Sequence, residues 1–264
     1  MVPGRENCQN RGYRVFEMCA MAQPVSRMNP VPPSYIIADQ EKMSLAKNYF
    51  AWQWRLINTE LGPRVVEVGC GIGNFTRMLH DRELVIAIDS EPECVDRLRE
   101  RLRNQANLQA MALDLIHPQF ADLAHFRPDS CVCLNVLEHI EDDCEALRKM
   151  ASILVPQGVI VLLLPAFPSL YGPIDRRLGH HRRYSRASLL ALTKAAGLHL
   201  QKVRYLNAAG FFGWWVNAHV LKRESQSEVQ IEFFDRFVVP LMSRVESWIR
   251  PPFGQSLFAV LKKQ

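Results

Sequence analysis

A short apolar strand, Val65-Val66-Glu67-Val68, runs into Gly69-Cys70-Gly71-Ile72-Gly73-Asn74, a turn with glycine at every second position. Sixteen residues past Gly73 comes Asp89, which closes a second apolar strand, Leu84-Val85-Ile86-Ala87-Ile88. Glycines allow close backbone approach to a ligand and dihedrals that a Cβ forbids. An acid at the end of the next strand accepts hydrogen bonds from a ribose diol. The pattern is that of a nucleoside site, in which Gly69, Gly71, Gly73 and Asp89 are the candidate binding residues. An ordinary βα turn could carry such glycines for packing alone, but the flanking acids Glu67 and Asp89 argue for a ligand.

The spacing narrows the ligand. A dinucleotide fingerprint, G-x-G-x-x-G, places its third glycine where this chain has Asn74, and seats a pyrophosphate on the following helix. Here the third glycine comes one residue early, and Glu67 stands two residues before the first, a poor neighbour for phosphate. A ligand with a cationic amino-acid end and no phosphate fits better. S-adenosyl-L-methionine has that chemistry.

The elements that follow must position this site. Helices are expected over Asn74 to His80, Pro92 to Arg103, Asp142 to Leu154 and Ser185 to Ala196, the last ended by Gly197. Strands are expected at Leu108 to Leu113, Ser130 to Asn135, Val159 to Pro165, His199 to Leu206 and Leu257 to Leu261. Alternating β and α elements predict a parallel sheet wound on both faces, with ligands at the carboxyl ends of the strands. Asp39 reads as the N-cap of a helix through Asn58 whose Leu45, Tyr49, Trp52 and Leu56 share one stripe.

With these motifs in order, the chain resembles the class I S-adenosylmethionine-dependent methyltransferases over about residues 45–206 and the final strand. The resemblance implies a Rossmann-like α/β fold: a doubly wound, mostly parallel seven-stranded sheet with an α-helical insertion before the last strand. Asp114 and Leu115 match the family's acidic position near the adenine, Asn135 at the end of the fourth strand is expected at the cofactor, and Val136-Leu137-Glu138-His139-Ile140 resembles the family's segment after that strand. Leu154-Val155-Pro156-Gln157-Gly158 resembles the L-x-P-G-G turn, with Gln157 for one glycine. In this family a helix before the first strand covers the cofactor's open side. Packing on the sheet is the other role open to that helix. Glu138-His139 resembles the end of the E-x-x-E-H run of ubiquinone-pathway O-methyltransferases, which supports a divalent metal there. Asn135 replaces the first acid, so no metal is expected. His180, Arg183 and Tyr184 resemble the G-H-x-R-R-Y-S motif of small-molecule methyltransferases found alongside polyprenyl-phosphate glycosyltransferases.

Two segments exceed the minimal fold. Asp175 to Arg186 holds five arginines and two histidines in twelve residues. Arginine forks recognise carboxylate and phosphate, so Asp175, His181, Arg183 and Tyr184 are expected beside an anionic acceptor, although such loops also serve as solvated or internally paired surface. Asn207 to Pro252 carries Phe211-Phe212-Gly213-Trp214-Trp215 and a helical run, Val229 to Ile249, that Pro240 should kink. Its Phe234, Val238, Leu241, Val245 and Trp248 are expected to form an apolar face opposite Asp235, Arg236, Arg244 and Glu246. Such a flap can lid a substrate through Trp214, pack on its own domain, join a second subunit or lie on a membrane surface. Methyl transfer to oxygen benefits from a base, and His180 and His139 are the two candidates.

The organisation expected is a disordered leader over residues 1–34, a cofactor-binding core over 35–206, the flap over 207–253, and the last strand of the core over 254–264. The leader carries five prolines and no sustained period. Apolar residues make up 48%, with no window of the ~18 needed to span a bilayer. Seven cysteines without a C-x-x-C pair indicate neither a disulfide framework nor a zinc site and place the chain in a reducing compartment, the cytoplasm. Together these features describe a methyltransferase for a small-molecule or lipid-linked, anionic acceptor, with peripheral membrane contact and a homodimer both open. A net charge of +5 would suit a nucleic-acid substrate. Asn135-Val136-Leu137-Glu138 lacks the motif of base amino methylation, and no nucleic-acid module is visible. A non-catalytic nucleoside-binding scaffold is the remaining alternative.

Overall fold

A computed structural model describes residues 32–264. The leader expected over 1–34 therefore lies almost wholly outside the described residues. Its last two positions belong to helix α1, Pro33–Met43, which places a proline in its first turn. Asp39 is consequently inside a helix and not its N-cap, and the single helix expected to Asn58 is two. Helix α2, Lys47–Ile57, starts at Ala46, which offers no side-chain cap. The cap comes from far away: the Asp235 carboxylate accepts the backbone N–H groups of Asn48 (3.0 Å) and Tyr49 (2.8 Å). A tertiary contact thus sets a boundary that local sequence does not mark.

The sheet contains β1 Arg64–Val68, β2 Leu84–Asp89, β3 Leu108–Ala112, β4 Ser130–Leu134, β5 Val159–Pro165, β6 His199–Leu206 and β7 Ser256–Lys262. Their spatial order is β3-β2-β1-β4-β5-β7-β6. Strands β1 to β5 pair in parallel, and β7 runs antiparallel to β5 and β6. Alternate residues feed opposite faces. Val66, Val68, Cys131, Cys133, Ile160 and Leu162 enter one apolar core. Val65, Val85, Val132, Val161 and Leu163 enter the other, where α2 packs through Trp52 and Ile57.

Helices α3, Pro92–Arg101, α4, Asp143–Ile153, and α6, Arg186–Ala195, lie near their expected places. The run after Gly73 is tightened to a 3-10 turn over Thr76–Leu79 instead of an α-helix. A short helix α5, Pro173–Leu178, interrupts the basic segment and ends at Gly179, φ 77°.

The insertion holds α7, Ala208–Trp215, and a long helix in which α8, Glu228–Phe233, passes through a π segment, Phe234–Val238, into α9, Val239–Trp248. Pro240 removes the N–H that the Arg236 carbonyl would accept, and the turn before it widens. The apolar face expected for this helix is split. Phe234 turns inward, packing on the core, whereas Leu241, Val245 and Trp248 are exposed. Asp235 and Glu246 are buried, not solvated.

Candidate active site

The three glycines are demanded by their neighbours. All have positive φ, at 74° for Gly69, 52° for Gly71 and 84° for Gly73. A Cβ at Gly69 would lie 2.1 Å from Cγ2 of Val136, and one at Gly71 would lie 2.8 Å from Oε1 of Gln40. The first contact ties the loop to the segment after β4, the second to α1. Ile37 of α1 packs on Ile72 and Cys94, and Asn74 donates to the Gln40 carbonyl at 2.8 Å. So α1 covers the glycine loop, while α2 packs on the sheet.

Acids gather at the carboxyl ends of the strands. Asp89 accepts the N–H of Gly71 and of Glu91, both at 2.9 Å, which braces the loop. Beyond β3, Leu113 donates its N–H to the Asp89 carbonyl at 2.9 Å, Asp114 accepts from the Ile116 N–H at 3.1 Å, and Leu115 is buried. Asn135, φ 53°, turns the chain after β4. Glu67 is buried, and its Oε2 has no hydrogen-bond partner among the described residues. Burial pushes its carboxyl up to about 8, eased by the Thr76 hydroxyl and reinforced by the charge of Asp89. A cationic ligand beside Glu67 would supply the missing partner.

A second cluster forms where the basic segment meets the segment after β4. His180 Nδ1 lies 2.9 Å from Oδ1 of Asp175, and the same oxygen accepts from Nε of Arg183 at 2.8 Å. The other Asp175 oxygen accepts the Gly172 N–H at 2.9 Å. Burial opposes charge on Asp175, but the bond to His180, the Arg183 guanidinium and this N–H outweigh it and hold the carboxyl below its usual range. His180 Nε2 is 3.9 Å from Oε1 of Glu138. Glu138 is fully buried with neither oxygen hydrogen-bonded among the described residues, and burial raises its carboxyl to about 7 against the lowering influence of His180. His139 is exposed and sets its ring edge-on to His180, centroids 4.6 Å apart. Arg183 also donates to the Ala166 carbonyl at 3.1 Å and stacks 4.7 Å from the Trp214 ring. Two neighbouring residues of α1 link the clusters, since Gln40 sits on Gly71 and Asp39 is electrostatically coupled to His180.

The structure therefore brings Asp175, His180, His139, Arg183 and Trp214 together. Tyr184 stays outside: it is buried, and its hydroxyl bonds to Asp143 Oδ2 at 3.0 Å. His181 points to the surface, its backbone N–H held by the Glu138 carbonyl at 2.8 Å. Four of the five arginines are engaged within the protein. Besides Arg183, Arg182 pairs with Asp143, Arg177 with Glu224, and Arg186 stacks on Tyr205. Sequence reasoning missed Gln40, Asp39 and the burial of Glu138. Only Glu138 carried a signal, its adjacency to His139.

Metal ligation has a geometric basis. Ligand atoms of Glu138, His139 and His180 lie within 4.8 Å of one another. In such a set His180 would take the place of the acid that Asn135 lacks, with Asp175 bonded to its ring as carboxylates are behind ligating histidines.

Residues 37–203 match the family model described as "Methyltransferase domain". The chain belongs to this family and carries a class I, S-adenosylmethionine-dependent methyltransferase domain. The ubiquinone biosynthesis O-methyltransferase of Xanthomonas campestris is 29% identical over 144 residues, covering 53% of this chain and 51% of that protein. Nodulation protein S of Rhizobium tropici is 33% identical over 116 residues, covering 41% and 47%. The chain spans about half the length of the curated relatives it matches. Among solved structures, the Haloferax volcanii putative methyltransferase in complex with the Trm112 activator superposes with a TM-score of 0.58. It is 18% identical, covering 86% of this chain and 96% of that one. A Mesorhizobium loti S-adenosylmethionine-dependent methyltransferase gives 0.53 at 17% identity, covering 80% and 98%. These likenesses show the fold.

Proposed function

We propose that this protein methylates an oxygen of a small-molecule or lipid-linked acceptor, with His180 as the base. The observation that carries the reading is the buried Asp175–His180 pair with its second nitrogen directed toward Glu138 and the site. Asp175 holds the Nδ1–H tautomer, which leaves Nε2 to take a proton. An acceptor oxygen attacks the sulfonium methyl in line. Bound S-adenosylmethionine would supply an activated methyl and a thioether leaving group, and His180 Nε2 would take the proton of the acceptor oxygen as the C–O bond replaced the C–S bond. Asp175 then faces the imidazolium and stabilises its charge, and Glu138 adds to this when ionised. Alignment and exclusion of water supply the rest. The relatives named for O-methylation in ubiquinone biosynthesis support oxygen as the target. The arginines support an acidic acceptor less than their number suggests, because most are bound within the protein. The test is release of S-adenosylhomocysteine across phenols and carboxylic acids with and without apolar tails, with the product identified by mass spectrometry. Transfer to nitrogen would overturn the oxygen assignment, and cofactor binding without turnover on any acceptor would favour a scaffold.

A second reading rests on the Glu138, His139 and His180 triad. A divalent ion held there would polarise an acceptor oxygen and lower its pKa. Chelation that abolishes turnover, with recovery on adding magnesium or zinc, would favour it over His180 as a free base.

A further inference from the structure

The long inserted helix buries acids beside apolar side chains such as Ile231 and Val239 on its inner face, and its outer face carries a row of exposed apolar side chains. Its inward positions include Asp235, Ser243 and Glu246, all buried. Asp235 and Glu246 are committed to backbone N–H groups of α2 and α7. Its outward positions are Val229, Phe233, Phe237, Leu241, Val245 and Ile249, each exposed and each four residues after the last, with Trp248 beside them at 90% exposure. A row at this spacing, running through a π segment that keeps four-residue steps nearly in line, extends about 30 Å. Helix α7 and the π turn after it expose a second row, Phe212, Val216 and Val220.

Such a surface costs free energy in water unless something covers it, and the charges around it say what. Beyond Glu232 every acid of the long helix is turned inward, while Arg236 and Arg244 face out with the apolar row, followed by Arg250. Trp248, at the end of the helix, is flanked in the chain by Arg244 and Arg250, both exposed. Lys222 and Arg223 stand exposed at the turn from the first row to the second, and the acid after them, Glu224, is paired with Arg177. An apolar strip flanked by arginine and ended by tryptophan matches the boundary between acyl chains and anionic headgroups, where indole and guanidinium both find partners. The strip is one row wide, enough for an interfacial helix lying in the plane of a surface. No helix among the described residues is long and apolar enough to cross a membrane.

We infer that the outer face of the 228–250 helix docks this protein on an anionic lipid surface, burying Phe233, Phe237, Leu241 and Trp248 at headgroup depth. The inference does not depend on which acceptor is methylated. It is tested with the full chain by co-sedimentation with phosphatidylcholine vesicles and with vesicles that also carry the anionic lipid phosphatidylglycerol. Binding should be at least about tenfold tighter to the anionic vesicles and should weaken as salt rises. Leu241→Glu with Trp248→Glu should abolish it. Arg236→Glu with Arg244→Glu should remove the preference for anionic lipid. Because these side chains are exposed, thermal melting and cofactor affinity should stay unchanged, which separates a lost surface from a lost fold. In the wild type, brominated lipids should quench tryptophan emission, and Trp248→Phe should remove most of that quenching. Failure to bind either vesicle overturns the inference. So does a wild-type dimer in light scattering that Leu241→Glu converts to monomer, since the row would then be a subunit interface.

Discussion

Two regions of this molecule bury carboxylates, and they treat them in opposite ways. In the insertion, Asp235 accepts the N–H groups of Asn48 and Tyr49, and Glu246 accepts those of Asn207 (3.0 Å) and Ala208 (2.8 Å). Each acid closes the first turn of a helix from another part of the chain. At the strand ends, Glu67 keeps one oxygen and Glu138 both oxygens without a hydrogen bond among the described residues. Burying a charge without a partner is expensive, and the usual response is to hold the proton. Glu67 and Glu138 do so, their carboxyls raised to about 8 and about 7, with burial the main cause at both. The difference separates acids whose partners are built in from acids whose partners arrive with a ligand. Of these four, the unpaired acids stand at the candidate site and the paired ones where the insertion is held to the core, whereas Asp175 is paired within the site by His180 and Arg183.

The largest effect expected from this contrast is at His180, which shares the unpaired cluster. His180→Ala should lower kcat by roughly 10²–10⁴-fold with cofactor affinity unchanged. His139→Ala should have a smaller effect, acting through the loop. If turnover is lost at His139 and kept at His180, the two roles are exchanged.

Next in size are the paired acids. Asp235→Ala and Glu246→Ala each remove the cap of a helix and strand two N–H groups, a loss of about 2–4 kcal/mol. Chemical denaturation should show it, with kcat per folded molecule unchanged. Glu138→Gln should do the reverse, leaving stability equal or higher and lowering kcat. A destabilised Glu138→Gln with full activity would erase the distinction drawn above.

These residues also show what could be read in the sequence. The strands were legible because each is a short apolar run, and the glycine turn because its residue types admit few explanations. Asp89 and Glu67 followed from their place beside it. His180 was visible as a candidate base, but its partner Asp175 was read as an acceptor contact. The helix break at Ser44 to Ala46 was not legible, since its cap, Asp235, lies 187 residues from Asn48. The direction of the long inserted helix was misread for the same reason. Periodicity finds a stripe, but which stripe faces inward depends on the backbone groups that Asp235 and Glu246 must reach. Arginine density likewise says nothing about Asp143, Asp175 and Glu224, which take up much of the charge.

A smaller effect is expected at Asp89. Its carboxylate braces the Gly71 and Glu91 amides as well as standing where a ribose would bind. Asp89→Ala should weaken S-adenosylmethionine by at least about tenfold, and the charge-assisted bonds lost account for that easily at about 1.5–3 kcal/mol each. Asp89→Asn keeps the size and part of the bracing, so it should bind less weakly than Asp89→Ala. Unchanged affinity in calorimetry would remove Asp89 from the cofactor site.

The last effect is a slope, small per pH unit, and it tests the unpaired acids without touching turnover. Glu67 has a carboxyl near 8 in the folded chain against an ordinary 4.5. Between those values the folded state holds a proton that the unfolded state has released, so the stability from Glu67 is full below about 4.5 and is lost as pH rises towards 8. Glu138 adds the same sign up to about 7. Each group can contribute at most about 1.4 kcal/mol per pH unit. The melting temperature of the ligand-free protein should therefore fall from pH 5.5 to 8, and Glu67→Gln should flatten the upper part of that decline. The ammonium of bound S-adenosylmethionine favours the charged carboxylate, so cofactor binding near pH 7 should release a proton. Calorimetry in buffers of different ionisation enthalpy measures that release directly, and Glu67→Gln should suppress it. A wild-type protein that binds the cofactor with no proton released would show that the partner of Glu67 is not the ligand's cation.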